Sequence, residues 1–376
     1  MKTRILHVFS DVDRSHLIKT LGIAMDREKY DVGFVFIGKQ EPLLHEYFSR
    51  NGHSSKFLNF HGKKDYLSTI FRLRQIFKRQ QPDIVHTHLV EGSMLGLTAA
   101  RLAGVGNRVH TRHHGVESHV YYPHGVYYDR YNNFLSKRII AISPVVAEVL
   151  IDREGVDPKK VITIPHGFHL EDLVVDRGVT EGLKEKYGLN GCYPVIGSIA
   201  RFIHWKGVHN TVLAFKEVLA VFPNAKLVLA NAVGPYADQV NKLLEENIPK
   251  ENYVTFEFES EIISLYAAFD VFVHVPVEKD LEAFGMVYIE PLTLKIPSVF
   301  TLSGIANDFI RDGRNALVVP YNDPENTAAA ITRILQNERL RESIIEAGHS
   351  DVLQRFGAER LAGDLDSFYT EILNTD

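Results

Sequence analysis

The feature that most constrains this chain is a rhythm of short apolar runs, each followed by a longer amphipathic stretch. Residues 5–9 form the first run and 32–37 the second, with a helix-like stretch over 17–25 between them. Ile84-Val85-His86 is the third, and residues 94–102 after it carry small residues at helical spacing. Arg108-Val109-His110-Thr111 and Ile139-Ile140-Ala141-Ile142 continue the series. Strands alternating with helices build βαβ units and a mostly parallel sheet. Both faces of such a sheet are covered, so its strands read as continuous apolar runs. A second set begins at Pro194-Val195-Ile196-Gly197-Ser198-Ile199, with a helix expected over 207–222. It runs on through residues 225–230, 253–258, 271–275, 298–300 and 316–319. The fold class expected is therefore α/β, with two doubly wound domains alike in rhythm and not in sequence. The boundary falls after Pro165-His166-Gly167-Phe168. Residues 1–170 form the first domain and 171–355 the second, while 356–376 form a helix that packs back on the first. A chain of 376 residues is more than one core usually serves, which agrees.

Composition removes several classes of function. The formal net charge is -5, so a uniformly basic surface is absent and nucleic acid is a poor default partner. Cys192 is the single cysteine, which excludes an intramolecular disulfide and a cysteine-based zinc site and suits a reducing compartment. The first apolar run is too short for a secretory leader and is followed at once by Asp11 and Asp13. No stretch approaches the ~20 apolar residues that span a bilayer. The expected location is cytoplasmic, with peripheral contact on the inner face of a membrane at most.

Doubly wound domains bind ligands at the carboxyl ends of their strands, so the loops after strands carry the chemistry. Glu282-Ala283-Phe284-Gly285-Met286-Val287-Tyr288-Ile289-Glu290 is the sharpest of these. Gly285 permits a tight turn into a helix starting near Met286, whose first N–H groups suit a phosphate. Glu290, one turn on, can accept hydrogen bonds from paired ribose hydroxyls, and Glu282 from sugar hydroxyls. The plain alternative is one carboxylate at a helix start and one in solvent. Arg201-Phe202-Ile203-His204-Trp205-Lys206-Gly207 puts two cations in a strand-to-helix loop. A departing nucleoside diphosphate needs such charge, an Arg fork and a Lys point charge.

Together these residues resemble the retaining glycosyltransferases of family four (glycosyl transferases group 1), which have the GT-B architecture. Further marks are Gln81-Pro82-Asp83-Ile84-Val85-His86-Thr87-His88, Thr163-Ile164-Pro165-His166-Gly167, Leu294-Lys295-Ile296-Pro297-Ser298-Val299 and residues 310–319. The resemblance implies two Rossmann-like domains facing a cleft. It implies that Arg201 and Lys206 hold the donor diphosphate. Glu282 would bind the donor sugar with help from the backbone of Phe284, Gly285, Met286 and Val287, and Glu290 would bind the ribose. It implies retaining transfer with no cofactor and no metal, the leaving diphosphate taking the acceptor's proton. The donor is an NDP-sugar, UDP favoured over GDP. The acceptor is a hydroxyl of a glycan, a lipid-linked sugar or a small molecule. Thr111-Arg112-His113 matches a family Thr-x-His arrangement, which places His113 beside the reacting carbon, with His114 as runner-up.

Three departures from the family stand out. A Gly-Gly pair after the first strand is replaced by Ser10-Asp11-Val12-Asp13-Arg14-Ser15-His16. Gly304-Ile305-Ala306-Asn307-Asp308 replaces Gly-Gly-x-Pro-Glu, with Asp308 in the glutamate's place and Ile305 narrowing the turn. Pro291 after Glu290 is expected to shift or kink the helix there.

On the acceptor side, Asp11, Asp13, Arg14, His114, Tyr121 and Tyr122 are the candidates. Asp11 and Asp13 read as a loop cap or an acceptor contact. The tyrosine-rich residues 120–131 either line an acceptor site or pack a helix on the sheet. Residues 63–79 read as a basic amphipathic helix, more simply a surface helix than a membrane anchor. The 18 histidines raise a metal reading, but His86-Thr87-His88 and His110-Thr111-Arg112-His113-His114 lack a zinc spacing with carboxylates, so no metal is expected. Rival readings are another GT-B enzyme such as an epimerase, and a non-catalytic nucleotide-sugar-binding subunit. No GxGxxG opens a helix after either first strand, which disfavours a dehydrogenase.

Overall fold

The computed structural model describes residues 2–13 and 15–374. The chain divides into two compact units, Met1–His169 with Phe356–Asp376, and Leu170–Arg355. In the first unit the strands are β1 (Thr3–Ser10), β2 (Tyr30–Gly38), β3 (Ser54–Asn59), β4 (Ile84–His88), β5 (Asn107–Arg112), β6 (Arg138–Ala141) and β7 (Val161–Thr163). They lie in the order β3-β2-β1-β4-β5-β6-β7, every pair parallel. In the second unit they are β8 (Val195–Ile199), β9 (Lys226–Ala230), β10 (Tyr253–Phe256), β11 (Val271–His274), β12 (Ser298–Phe300) and β13 (Leu317–Val318). Their order is β10-β9-β8-β11-β12-β13, again all parallel. Each sheet reverses its winding beside its first strand, between β1 and β4 and between β8 and β11. Crevices at such reversals are where α/β sheets bind ligands.

The expected runs are strands, and two further strands, β3 and β7, are present. Along β3, Ser54, Lys56 and Asn59 are exposed, Ser55 and Phe57 are half-buried and Leu58 is buried, and β7 has three residues. Both are edge strands, covered less than central ones, so neither carries the continuous apolar run that marks a buried strand.

Alternation along β1 builds the two layers of the first unit. Ile5 and Phe9 face one layer with Phe34, Phe36 and Ile84. Leu6 and Val8 face the other with Leu73, Phe77 and Leu95. The first layer is closed by helix Ala358–Asn374, which buries Leu361, Leu365, Phe368, Tyr369 and Ile372 there. At about 1.5–3 kcal/mol per large apolar side chain, that helix contributes of order 10 kcal/mol of gross burial. Just before that helix, Phe168 N–H donates to Phe356 C=O at 2.8 Å.

Pro291 does disturb its helix. Met286–Tyr288 form a single 3-10 turn, and a short helix, Glu290–Thr293, follows with Pro291 in its first turn. One continuous helix from Met286 is therefore corrected to two short pieces, because Pro291 has no N–H to continue the ladder.

Candidate active site

In the second unit the loops after β8 and β11 flank the winding reversal and are locked together. Val277 N–H donates to Trp205 C=O at 3.0 Å. Gly207 has φ 70°, and a Cβ there would stand 1.8 Å from Val275 O. Only glycine fits, and it swings the chain from the turn His204–Lys206 into helix Val208–Val221. Gly207→Ala is expected to cost at least about 2 kcal/mol through clash and backbone strain together. Urea unfolding of the two proteins measures it.

This lock delivers Lys206 to Glu282. The ammonium forms a close ion pair with Oε1 of Glu282, and His274 Nε2 meets the same oxygen at 3.1 Å. Glu282 is 6% exposed. Burial opposes its ionisation, but the Lys206 charge and the His274 hydrogen bond outweigh that and hold its carboxyl at about 2. Burial pushes His274 down, so its ring is neutral and donates from Nε2. Lys206 also sits over the Trp205 ring, 4.3 Å from its centre. The Glu282 loop has its own supports. Its N–H donates to Ser303 Oγ at 3.1 Å. Gly304, φ 58°, has no room for a Cβ beside Glu282. Gly285, φ 93°, makes the turn toward Met286 and Val287, and Phe284 is buried behind it. Glu290 accepts a hydrogen bond from Tyr266 Oη at 2.8 Å, and burial raises its carboxyl above the usual range. Arg201 is exposed and forms no ion pair among the described residues.

Sequence reasoning did not select His274, Tyr266 or Ser303. His274 carried a usable signal, a lone histidine closing the apolar strand Val271-Phe272-Val273. Ile305 follows Gly304 with an ordinary helical φ of -66°, and its side chain is fully buried. Asp308 is half-exposed, with its carboxylate 3.5 Å from Arg355.

In the first unit His113 follows β5. Its Nε2 lies 3.1 Å from His88 Nδ1, and its ring stacks on His166 at 5.2 Å. Burial, then the neighbouring His114, lowers its basicity to about 3. The loop is held by a buried ionic network. Arg112, fully buried, donates to Asp129 at 3.0 Å and to Glu154 at 2.7 Å. His114 meets Asp129 at 3.1 Å, and Asn133 donates to Glu154 at 2.6 Å. His114 thus belongs to this network. Arg112→Met leaves two buried carboxylates without their cation and is expected to cost about 3–5 kcal/mol, read by urea unfolding.

Of the acceptor-side candidates, Asp13 Oδ1 accepts the N–H of Leu43 at 3.0 Å at the start of helix Leu43–Arg50, a loop cap. Asp11 is exposed at φ 46°. Arg14 lies outside the described residues. Tyr121 and Tyr122 are exposed, Tyr122 by 64%, as are Tyr127 and Tyr131, so these tyrosines do not pack on the sheet. Among the described residues no helix is long and apolar enough to cross a membrane.

Each unit is a parallel α/β sheet with one winding reversal, and in the second unit the Lys206–Glu282 pair sits there, which is the fold class of the GT-B glycosyltransferases. Comparison with known proteins agrees and names the family. The model of the glycosyltransferase family 4 matches residues 15–172, and that of the glycosyl transferases group 1 matches residues 179–351. The chain belongs to this family. It is 26% identical over 318 residues to the capsular polysaccharide biosynthesis glycosyltransferase CapM of Staphylococcus aureus, covering 82% of this chain and 81% of that one. It is 25% identical over 316 residues to the N-acetyl-alpha-D-glucosaminyl L-malate synthase of Bacillus anthracis, covering 82% and 80%. The structure of Anabaena HepE in complex with UDP and glucose has the same fold, with TM-score 0.80 and 15% identity over 98% of this chain and 100% of that chain.

Proposed function

We propose that this glycosyltransferase moves a sugar from an NDP-sugar to an acceptor hydroxyl with retention at the anomeric carbon and without a metal. The meeting of Lys206 and Glu282 at the winding reversal of the second unit carries the reading. UDP is the favoured nucleotide, the one HepE holds. Lys206 and Arg201 offset the charge that grows on the diphosphate as the bond from C1 to its oxygen breaks. Glu282, ionised at any ordinary pH, accepts hydrogen bonds from the sugar hydroxyls. The N–H groups around Phe284, Gly285, Met286 and Val287 assist, and Glu290 with Tyr266 takes the ribose. The acceptor oxygen bonds to C1 on the face the diphosphate leaves, and its proton passes to the leaving phosphate oxygen. His113 orients a donor hydroxyl or steadies the developing positive charge.

The acceptor is a glycan, a lipid-linked sugar or a small molecule, and the setting is cytoplasmic. Peripheral contact with a membrane draws support from helix Tyr66–Gln80. Its outward side carries Leu67, Phe71 and Arg72, with Leu67 83% exposed, and Lys63 and Lys64 lie in the exposed turn just before it. Such a mixed basic and apolar face suits an anionic lipid surface.

A melting-temperature screen tests the donor reading, using UDP, GDP, ADP and NAD with Mg²⁺ or EDTA, alongside Glu290→Ala. A ligand at a hundred times its dissociation constant stabilises by about 2.7 kcal/mol. A rise with one nucleoside diphosphate, equal in EDTA and lost in the variant, is expected. A rise with NAD alone overturns the reading. Nucleoside diphosphate release that needs an acceptor separates a transferase from an epimerase or a binding subunit.

A further inference from the structure

The first unit holds a row of histidines that the transfer chemistry leaves unexplained. His7 Nδ1 lies 3.0 Å from His88 Nε2, and His88 Nδ1 lies 3.1 Å from His113 Nε2. His7 is 1% exposed and His88 is 2% exposed, while His113 is half-buried at the end of the row. The strands explain the alignment: β1 and β4 pair in register at His7 and His86, and His88 is two residues along the same face.

Each of these nitrogen–nitrogen contacts needs one N–H and one lone pair. A neutral imidazole has one of each. His88 uses both of its nitrogens in the row, so it must donate to one neighbour and accept from the other. Only two proton arrangements satisfy the three rings, and they differ by reversing every bond together. In each, the role of His113 Nε2 is set by His88, and His113 Nδ1 must take the opposite role. We infer that His7 and His88 are positioning residues: His88 ties the tautomer of His113 to that of His7, and His7, at the buried end of the row, selects which of the two arrangements His113 presents at Nδ1. The inference rests on the reading that His113 acts on the donor.

Other features fit this use. Burial is the main reason that His7 is lowered to about 3 and His88 well below its ordinary value, so both rings are neutral. His86 walls the row from one side, with ring centres 4.8 Å from His7 and 4.3 Å from His88. It is itself pinned by Tyr369 Oη and Thr111 Oγ1, both at 2.6 Å. Leu89, next to His88, has φ 62° and ψ 164°, a conformation that non-glycine residues keep only under strong constraint. A metal is the competing use, since nitrogens of His7, His86 and His88 lie within 4.8 Å of one another. The rings of His86 and His88 stack at 26°, however, so their in-plane lone pairs run side by side and do not converge. Both nitrogens of His86 are also already engaged.

The test is ¹⁵N NMR of the full chain labelled at histidine, at neutral pH, for the wild type, His7→Phe and His7→Asn. In the wild type, His113 is expected to show one protonated and one bare ring nitrogen, a single tautomer. In His7→Phe those two shifts are expected to move toward each other. His7→Asn returns a polar group near the Nδ1 position and is expected to restore them. With an NDP-sugar that the wild type turns over, kcat of His7→Phe is expected to fall about tenfold at unchanged KM and to recover in His7→Asn. Averaged or doubly protonated His113 nitrogens in the wild type overturn the inference without any variant. So do unchanged His113 shifts in a His7→Phe protein that still melts cooperatively. Altered shifts with unaltered kcat uphold the coupling and overturn the role of His113 in the reaction.

Discussion

Acidification from pH 7 is expected to unfold this protein before its carboxylates titrate, by about pH 5. Four histidines described in the first unit, His7, His86, His88 and His110, are at most 2% exposed. In all four, burial drives the ring's pKa down from the ordinary 6.5, for His7 to about 3. The folded values lie below the unfolded one, so the unfolded chain binds protons first as pH falls. The stability from keeping these rings neutral is fully present above 6.5 and is lost as pH falls toward the folded values. Four protons at about 1.4 kcal/mol per pH unit each approach a slope of about 5 kcal/mol per pH unit. A total stability of about 5–15 kcal/mol cannot withstand that slope for long. Far-UV circular dichroism against pH measures the midpoint. A chain still folded at pH 4 contradicts this account of the first unit's interior.

Lys206→Met is expected to lower turnover of the nucleotide sugar by at least about a hundredfold. The cation beside a leaving diphosphate stabilises charge that exists mainly in the transition state, so the loss falls on kcat. The same change leaves the buried Glu282 carboxylate with the neutral His274 alone, and stability is expected to fall by about 3 kcal/mol or more. Lys206→Arg keeps the charge but not the shape of the ammonium, and is expected to recover stability better than turnover. Steady-state kinetics and urea unfolding on the same samples separate the two effects. A Lys206→Met protein with wild-type turnover removes the lysine from the reaction.

The parallel sheets were legible because central strands of covered sheets are uninterrupted apolar runs. Edge strands β3 and β7 were not, since half their surface is exposed and their residues are mixed. The loops holding Lys206, Glu282 and Glu290 could be chosen because they follow strands and carry charge beside a glycine. What they touch could not. The pairing of Lys206 with Glu282 depends on Gly207 fitting under Val275, a contact made across 68 residues of chain only after folding. His274 and Tyr266 sit inside apolar stretches and look like ordinary core residues until the sheet turns them toward the glutamates. The tyrosine-rich stretch left two readings open because exposure is decided by how helix Gly125–Leu135 rolls, not by its composition. The row from His7 to His113 is the sharpest case. Its members come from β1, β4 and the loop that leaves β5, and only the register of these three strands aligns them.

The central claim is that the second unit holds a nucleoside diphosphate through Lys206 without a metal. Calorimetric titration of UDP into the full chain in EDTA, wild type against Lys206→Met, tests it most directly. The account predicts binding in EDTA that weakens at least about tenfold in the variant, a difference of about 1.4 kcal/mol. Binding that requires added Mg²⁺, or that is equally tight in Lys206→Met, contradicts it.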